Sequence, residues 1–273
     1  MPDSHQGFIM RIAITGAATG IGATTASKLK QRGDEIIAFD IAEPTGESAK
    51  YADQWIKTDL SNPESINAAI DSADGNFDAL INNAGVPPRE GLAETVLQVN
   101  YFGLTTFLYG MLDKLNTGAS IVNTASRAGA MWRDNLDEVK ALMALPADGL
   151  PAFINERKID ATRAYNLSKE AVIVLTMSMT ADMIKRELRM NSVSPAAVST
   201  GILPDFAKAF GDKMEKNVAR VGRPGTPEEV ADVIVFLASK ESSWIRGQDI
   251  VIDGGMGATI AAEMMGLSDT GDL

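Results

Sequence analysis

The sequence predicts an α/β fold, one doubly wound parallel sheet in a single domain. Two observations carry this. Short, β-rich apolar runs alternate with longer amphipathic stretches along most of the 273 residues, the pattern of strands buried on both faces and joined by crossover helices. A glycine-rich turn also closes the first run and opens the first helix-length stretch, an arrangement suited to holding a phosphate.

The elements follow in order. "RIAIT" (11–15), "EIIAF" (35–39), "FDALIN" (77–82), "ASIVNTA" (119–125), "RMNSVS" (189–194) and "DIVID" (249–253) read as strands, with a weaker one at "QWIKTD" (54–59). Helices are expected at 21–32, at 63–73 behind the capping "SNPES", at 92–115, at 165–187, and at 227–239 behind "GTPEE". Residues 1–9 read as a polar leader and 256–273 as a C-terminal tail. Segment 127–164 breaks the rhythm: it holds the helix-like pieces "NLDEVKALMAL" and "PAFINERKI", split by Pro146, Gly149 and Pro151. A long connection at the C-terminal end of a strand is expected to be a lid or pocket wall.

Composition limits the function. A formal net charge of −11 argues against nucleic acid or an anionic membrane as partner, because both demand a basic face. No apolar run approaches the ~20 residues that cross a bilayer, and "MPDSHQGFI" lacks the basic head and apolar stretch of a signal peptide, so the expected location is cytoplasmic. The chain has no cysteine, and its one histidine is His5 in the leader. A Ser-His-Asp hydrolase and a zinc dehydrogenase are thereby disfavoured, and no metal is expected. Acid/base chemistry must come from Tyr, Lys, Asp or Glu.

In "RIAITGAATGIGATTASKLKQRG", Gly16, Gly20 and Gly22 let backbone approach a pyrophosphate, while the helix start supplies free N–H groups. The spacing is G-x-x-x-G-x-G. Asp40 ends the next strand, in "IIAFD", where an acid hydrogen-bonds the adenosine ribose hydroxyls of NAD and repels the extra phosphate of NADP. No basic residue stands at 17–19 or 41. NAD is the expected coenzyme.

Tyr165 and Lys169 in "RAYNLSKEAV" would share one helical face. A free tyrosine titrates near pH ~10, and a neighbouring ammonium favours its phenolate, every tenfold gain in ionisation being worth about 1.4 kcal/mol. "INNAG" (81–85), "VNYFG" (99–103) and "IVNTASRAG" (121–129) complete a set that, with T-G-x-x-x-G-x-G and Y-x-x-x-K, resembles the short-chain dehydrogenase/reductase family in its single-domain, Rossmann-type form. The resemblance runs from Met10 to about Gly255.

It implies that Tyr165 is the catalytic acid/base, that Lys169 lowers its pKa and holds the nicotinamide ribose, that Ser126 anchors the substrate oxygen, and that Asn100 supports a proton-relay water. Coenzyme contacts are implied for Gly16, Thr19, Gly20, Ile21 and Gly22, for Asp40, and for Asp59 and Leu60 in "TDL". The same holds for Asn83, Ala84 and Gly85, for Tyr165 and Lys169, and for Val198 and Thr200. One departure is Ala196 in "SVSPAAVST", where the family usually has glycine after proline. The last helix and strand are implied to form a homo-oligomer interface, dimeric or tetrameric.

Within the family, segment 127–164, "VNYFG", "GAMW" and "ESSWIRGQDIVIDGG" are most similar to bacterial 3α-hydroxysteroid dehydrogenase/carbonyl reductases and coniferyl-alcohol-dehydrogenase-like enzymes. Segments 127–164 and 199–220 are expected to wall the substrate site with Met131, Trp132, Leu203, Phe206, Phe210 and Met214. Such a pocket suits a bulky, mostly apolar small-molecule alcohol or ketone. Trp132, Leu203 and Phe206 are the expected substrate contacts; Arg127 and Arg133 are expected to be solvated charges, the alternative being contact with a polar or acidic substrate end. The competing readings are a non-catalytic NAD-binding regulator and a reductase of small polar carbonyls.

Overall fold

The computed structural model describes residues 9–146 and 148–267. Strands β1 (Arg11–Thr15), β2 (Glu35–Asp40), β3 (Gln54–Lys57), β4 (Phe77–Asn82), β5 (Leu115–Thr124), β6 (Arg189–Pro195) and β7 (Asp249–Ile252) form one sheet ordered β3-β2-β1-β4-β5-β6-β7. Every pair is parallel. The chain steps outward from β1 to β3, then crosses to the other side of β1 to add β4. The crevice above the β1–β4 boundary is the topological switch point where such sheets bind ligands.

The helices are α1 (Gly20–Arg32), α2 (Pro63–Ser72), α3 (Ala93–Leu97), α4 (Leu104–Met111), α5 (Leu136–Met143), α6 (Leu150–Arg157), α7 (Ala161–Ser178), α8 (Thr180–Lys185), α9 (Leu203–Val221), α10 (Pro227–Ala238) and α11 (Met256–Met264). Both faces of the sheet are covered because strand side chains alternate. Ile12, Ile14, Ile36 and Ala38 pack with Leu29 of α1 and Ile234 of α10, whereas Ala13, Ile37, Phe39 and Leu80 pack with Ile70 of α2 and Phe107 of α4. Each fully buried side chain of this size contributes about 1.5–3 kcal/mol. Local chemistry sets the helix starts: Asn62 accepts from the amides of Glu64 and Ser65 at α2, and Asp160 from that of Arg163 at α7. Thr226 and Glu229 form a capping box at α10.

Several sequence expectations change. The helix expected over 92–115 is interrupted by a π turn, Gln98–Gly103, and ends before β5 begins at Leu115. The turn lets Asn100 reach the Val86 backbone (2.7 and 3.0 Å) and brings Gly103 so near Leu60 that a Cβ there would sit 2.1 Å from its carbonyl oxygen. The helix expected at 165–187 starts earlier, at Ala161, and breaks at Met179 into α7 and α8. Residues 203–221 are helical, kinked at Gly211. What reads as a tail from 256 is helix α11 through Met264; residues 268–273, like residues 1–8 with His5, lie outside the described residues. Segment 127–164 divides. Its latter part folds into α5 and α6, which bury Val139, Leu142, Leu150 and Phe153 in the core, so only its start, 127–135, and Arg163 near its end face the cleft. Among the described residues no helix is long and apolar enough to cross a membrane.

Candidate active site

A cleft of about 1190 Å³ opens above the C-terminal strand ends, running from Asp40 and Ile41 at one end to Phe210 and Met214 at the other. That volume holds a dinucleotide together with a substrate.

The dinucleotide half is built by the β1–α1 turn. Helix α1 has Thr19 at its N-cap, but the threonine side chain makes no capping bond and no acid stands in the first turn. The N-terminal amides are therefore left for an anion. Backbone is exposed here because no side chain fits: a Cβ on Gly22 would lie 1.9 Å from the Gly16 oxygen, and one on Gly16 would lie 2.7 Å from Ala84 Cα. Asn83 donates to the Gly16 carbonyl (3.1 Å), and the amides of Asn83 and Ala84 donate to Thr15 Oγ1 (3.0 and 3.1 Å). Part of "NNAG" thus fastens the turn.

Asp40 closes the far end. Its two oxygens accept from the amides of Ala18 and Ala42, both at 2.9 Å, and each keeps a lone pair for a further donor. Asp59, Leu60, Thr19 and Ile41 complete this end, and none of these residues is cationic. Across the cleft Thr200 approaches the turn, 3.4 Å from a Cβ position on Gly20, beside Val198. The structure therefore fits an adenine dinucleotide: free helix amides for the pyrophosphate, an open carboxylate for the ribose, and an apolar slot at Leu60.

The reacting half lies on β5 and α7. Ser126 follows β5; Tyr165 and Lys169 stand one turn apart on α7, with the Lys169 ammonium 5.7 Å from the Tyr165 ring centre. Lys169 is buried and donates to the Thr124 carbonyl at 2.9 Å. Burial pushes the Tyr165 hydroxyl up to about 12, opposed by a hydrogen bond from Ser126, and pulls Lys169 down to about 8. The Ser126 oxygen also accepts from the Ala128 amide (3.1 Å), and its proton has a second acceptor in the Pro195 carbonyl at 3.5 Å. Asn100 lies fully buried behind this group. Its amide is spent on Val86, which lines the cleft.

The substrate end is largely apolar, with Lys213 and Asn217 of α9 also lining the cleft. Phe206 and Phe210 of α9 stack with each other and stand edge-on to Tyr165, with ring centres 5.1 and 6.4 Å from it. Met131 and Met214 line the same space.

Two family models match the chain: one described as short chain dehydrogenase over residues 10–136, and one described as enoyl-(acyl carrier protein) reductase over residues 151–257. A coniferyl-alcohol dehydrogenase from Pseudomonas sp. (strain HR199) is 35% identical over 253 residues, which span 91% of this chain and 97% of the relative. The chain belongs to the short-chain dehydrogenase/reductase family. The 3-alpha-hydroxysteroid dehydrogenase/carbonyl reductase of Comamonas testosteroni is 30% identical over 259 residues, covering 91% and 97% of the two chains. The crystal structure of a 3-alpha-hydroxysteroid dehydrogenase from Pseudomonas sp. B-0831, complexed with NADH, superposes with a TM-score of 0.79 at 32% identity, covering 93% and 99%. As a member of this family, the protein is an oxidoreductase acting on CH–OH groups with a nicotinamide coenzyme.

Against the family pattern, the Ala196 departure has a local explanation. Its amide donates to the Ile252 carbonyl (3.0 Å), and its φ is negative, since Lys158 and Glu187 are the positive-φ non-glycine residues described. Glycine is not required there. Of the expected substrate contacts, Phe206 lines the cleft but Trp132 and Leu203 do not. Trp132 packs against the core with Arg133 over its ring at 4.2 Å, because a large apolar group gains more from burial than from the open cleft. Leu203 sits in the first turn of α9, a turn before the face carrying Phe206. Arg127 is not a free solvated charge: it lines the cleft and pairs there with Asp253 (3.3 Å). Sequence reasoning missed Met256 and Ile260 of α11, which also line the cleft. Their i, i+4 spacing was the available signal.

Proposed function

We propose that the protein is an NAD-dependent dehydrogenase that interconverts a bulky, largely apolar alcohol and its carbonyl compound, with Tyr165 as acid/base. The observation that carries this reading is the placement of the Tyr165 hydroxyl: bonded to Ser126, flanked by Lys169, and opening onto an aromatic and thioether-lined space. When bound, the nicotinamide coenzyme supplies the hydride acceptor in oxidation and the donor in reduction.

The chain's own residues do the rest. Ser126 orients the substrate oxygen, and the Tyr165 oxygen takes its proton as the carbinol is oxidised, returning it in reduction. Lys169 keeps positive charge beside the ring, which favours the phenolate. Asn100 holds the Val86 backbone behind the reacting group and supports the proton relay. Asp40 selects NAD, with Asp59 and Leu60 at the adenine and Val198 and Thr200 at the nicotinamide. Exposed Phe236, Trp244 and Val251, on α10, the turn after it and β7, support a homo-oligomer through that edge.

The test is absorbance at the NADH band over a panel of sterols, benzylic and allylic alcohols, and small aliphatic alcohols. The expected result is that kcat/KM rises toward ring-bearing substrates, about tenfold for each 1.4 kcal/mol of added transition-state binding. NAD should outperform NADP throughout. A best substrate that is small and charged, or a preference for NADP, would refute the corresponding half of the proposal.

A further inference from the structure

One charged group beside the reacting residues has no part in the chemistry above. Glu170 follows Lys169 on α7, and its side chain is 1% exposed. Its carboxylate accepts from Asn135 Nδ2 at 2.7 Å and from both terminal nitrogens of Arg163 at 3.0 and 2.7 Å. Arg163, seven residues earlier on the same helix, also donates to Glu138 of α5 at 2.6 and 3.0 Å. Glu138, Arg163 and Glu170 therefore clamp α5 to α7, and Asn135 extends the clamp to the edge of the cleft.

Three features point past simple stabilisation. Asn135 occupies the N-cap of α5, where an asparagine side chain usually bonds the helix amides, yet it makes no capping bond and is turned to Glu170 instead. Opposite, the wall rests directly on the helix turn that bears Lys169: a Cβ on Gly129 would lie 2.8 Å from the Lys169 carbonyl carbon and 2.9 Å from the Glu170 nitrogen. The wall's other end is held by the Arg127–Asp253 pair. The stretch between Ser126 and Asn135, which contributes Met131 to the cleft, is thus fixed at both ends. For stability alone, apolar groups of similar volume serve a buried site as well as ion pairs do; a buried acid with directed bonds fixes a geometry.

We propose that Glu170 is a positioning residue: through Asn135 and Arg163 it locks the cleft wall 127–135 onto the helix turn carrying Lys169, and so sets the size of substrate that Ser126 and Tyr165 engage. This rests on the substrate reading given above.

The experiment uses Asn135→Ala, Glu170→Gln and the double variant, each assayed with NAD on one ring-bearing alcohol and one small secondary alcohol, alongside Tm. Each single variant is expected to lower kcat/KM for the ring-bearing alcohol about tenfold, mostly through KM, and that for the small alcohol at most about threefold. The double variant should cost no more than the worse single, because both act through one contact. Variants that lower Tm but keep the wild-type ratio between the two alcohols overturn the proposal and leave Glu170 a stability residue. Asn135→Ala leaves the Arg163 pairs intact, so the ratio is measurable even if Glu170→Gln does not fold. A wild type with no preference for the ring-bearing alcohol refutes the substrate reading instead, and the change in ratio between variant and wild type still decides the role of Glu170.

Discussion

Tyr165→Phe should lower kcat for alcohol oxidation by about 10² to 10⁴ while leaving NAD affinity close to the wild-type value. The asymmetry follows from what the substitution removes. The ring stays, with its edge contacts to Phe206 and Phe210, so the substrate wall keeps its shape. Only the hydroxyl is lost, and with it the acceptor of the Ser126 hydrogen bond. Ser126 retains an alternative acceptor in the Pro195 carbonyl, so the net stability cost is about 1 kcal/mol or less. Turnover and coenzyme titration, measured on one preparation, check the prediction. Near-normal kcat would mean that another group moves the proton.

Lys169→Ala should be broader in effect. Turnover is expected to fall by at least about 10², and KM for NAD should rise as well, which separates this variant from Tyr165→Phe. The side chain is buried, its ammonium is tied to the Thr124 carbonyl (2.9 Å), and it lies 3.6 Å from the Cβ position of Gly85 on the coenzyme side of the cleft. Deleting it removes the positive charge beside Tyr165 and the group proposed to hold the nicotinamide ribose. Lys169→Arg should fail to rescue, because the guanidinium is wider and planar and the lysine sits against Thr124 and Gly85. Steady-state kinetics and calorimetric titration of NAD on both variants distinguish the outcomes; a rescue by arginine would show that charge alone matters.

The sheet was legible because its strands are buried on both faces, which writes them as continuous apolar runs such as "FDALIN" and "ASIVNTA". The glycine turn and Asp40 were legible because close backbone approach and a strand-end acid each demand a residue type at a fixed place. Other features depend on contacts distant in sequence. The π turn at Gln98–Gly103 exists to satisfy Val86 and to admit Leu60, neither of which a helical periodicity reveals. Helix α11 begins after Gly254 and Gly255, both at positive φ, and is tied to α9 by the Arg220–Glu263 pair; the glycines read locally as the end of structure. Trp132 shows the same limit for the site. A large apolar residue on a loop satisfies its sequence signature equally by lining a cleft or by packing into the core, and only the position of α5 and α7 decides between them. The Asn135–Glu170 bond was hidden for a related reason, since a polar residue before a helix reads as a cap.

The central claim, that Tyr165 moves the proton, is tested most directly by the pH dependence of kcat/KM in both directions. Burial raises the tyrosine to about 12 and lowers the lysine to about 8. Oxidation uses the deprotonated form, so its kcat/KM should climb with pH through the alkaline range toward the tyrosine's raised value of about 12. Carbonyl reduction uses the protonated form and should fall over the same range. Tyr165→Phe should abolish the ascending limb of oxidation. A pH-independent oxidation rate, or the same limb in Tyr165→Phe, would contradict the account.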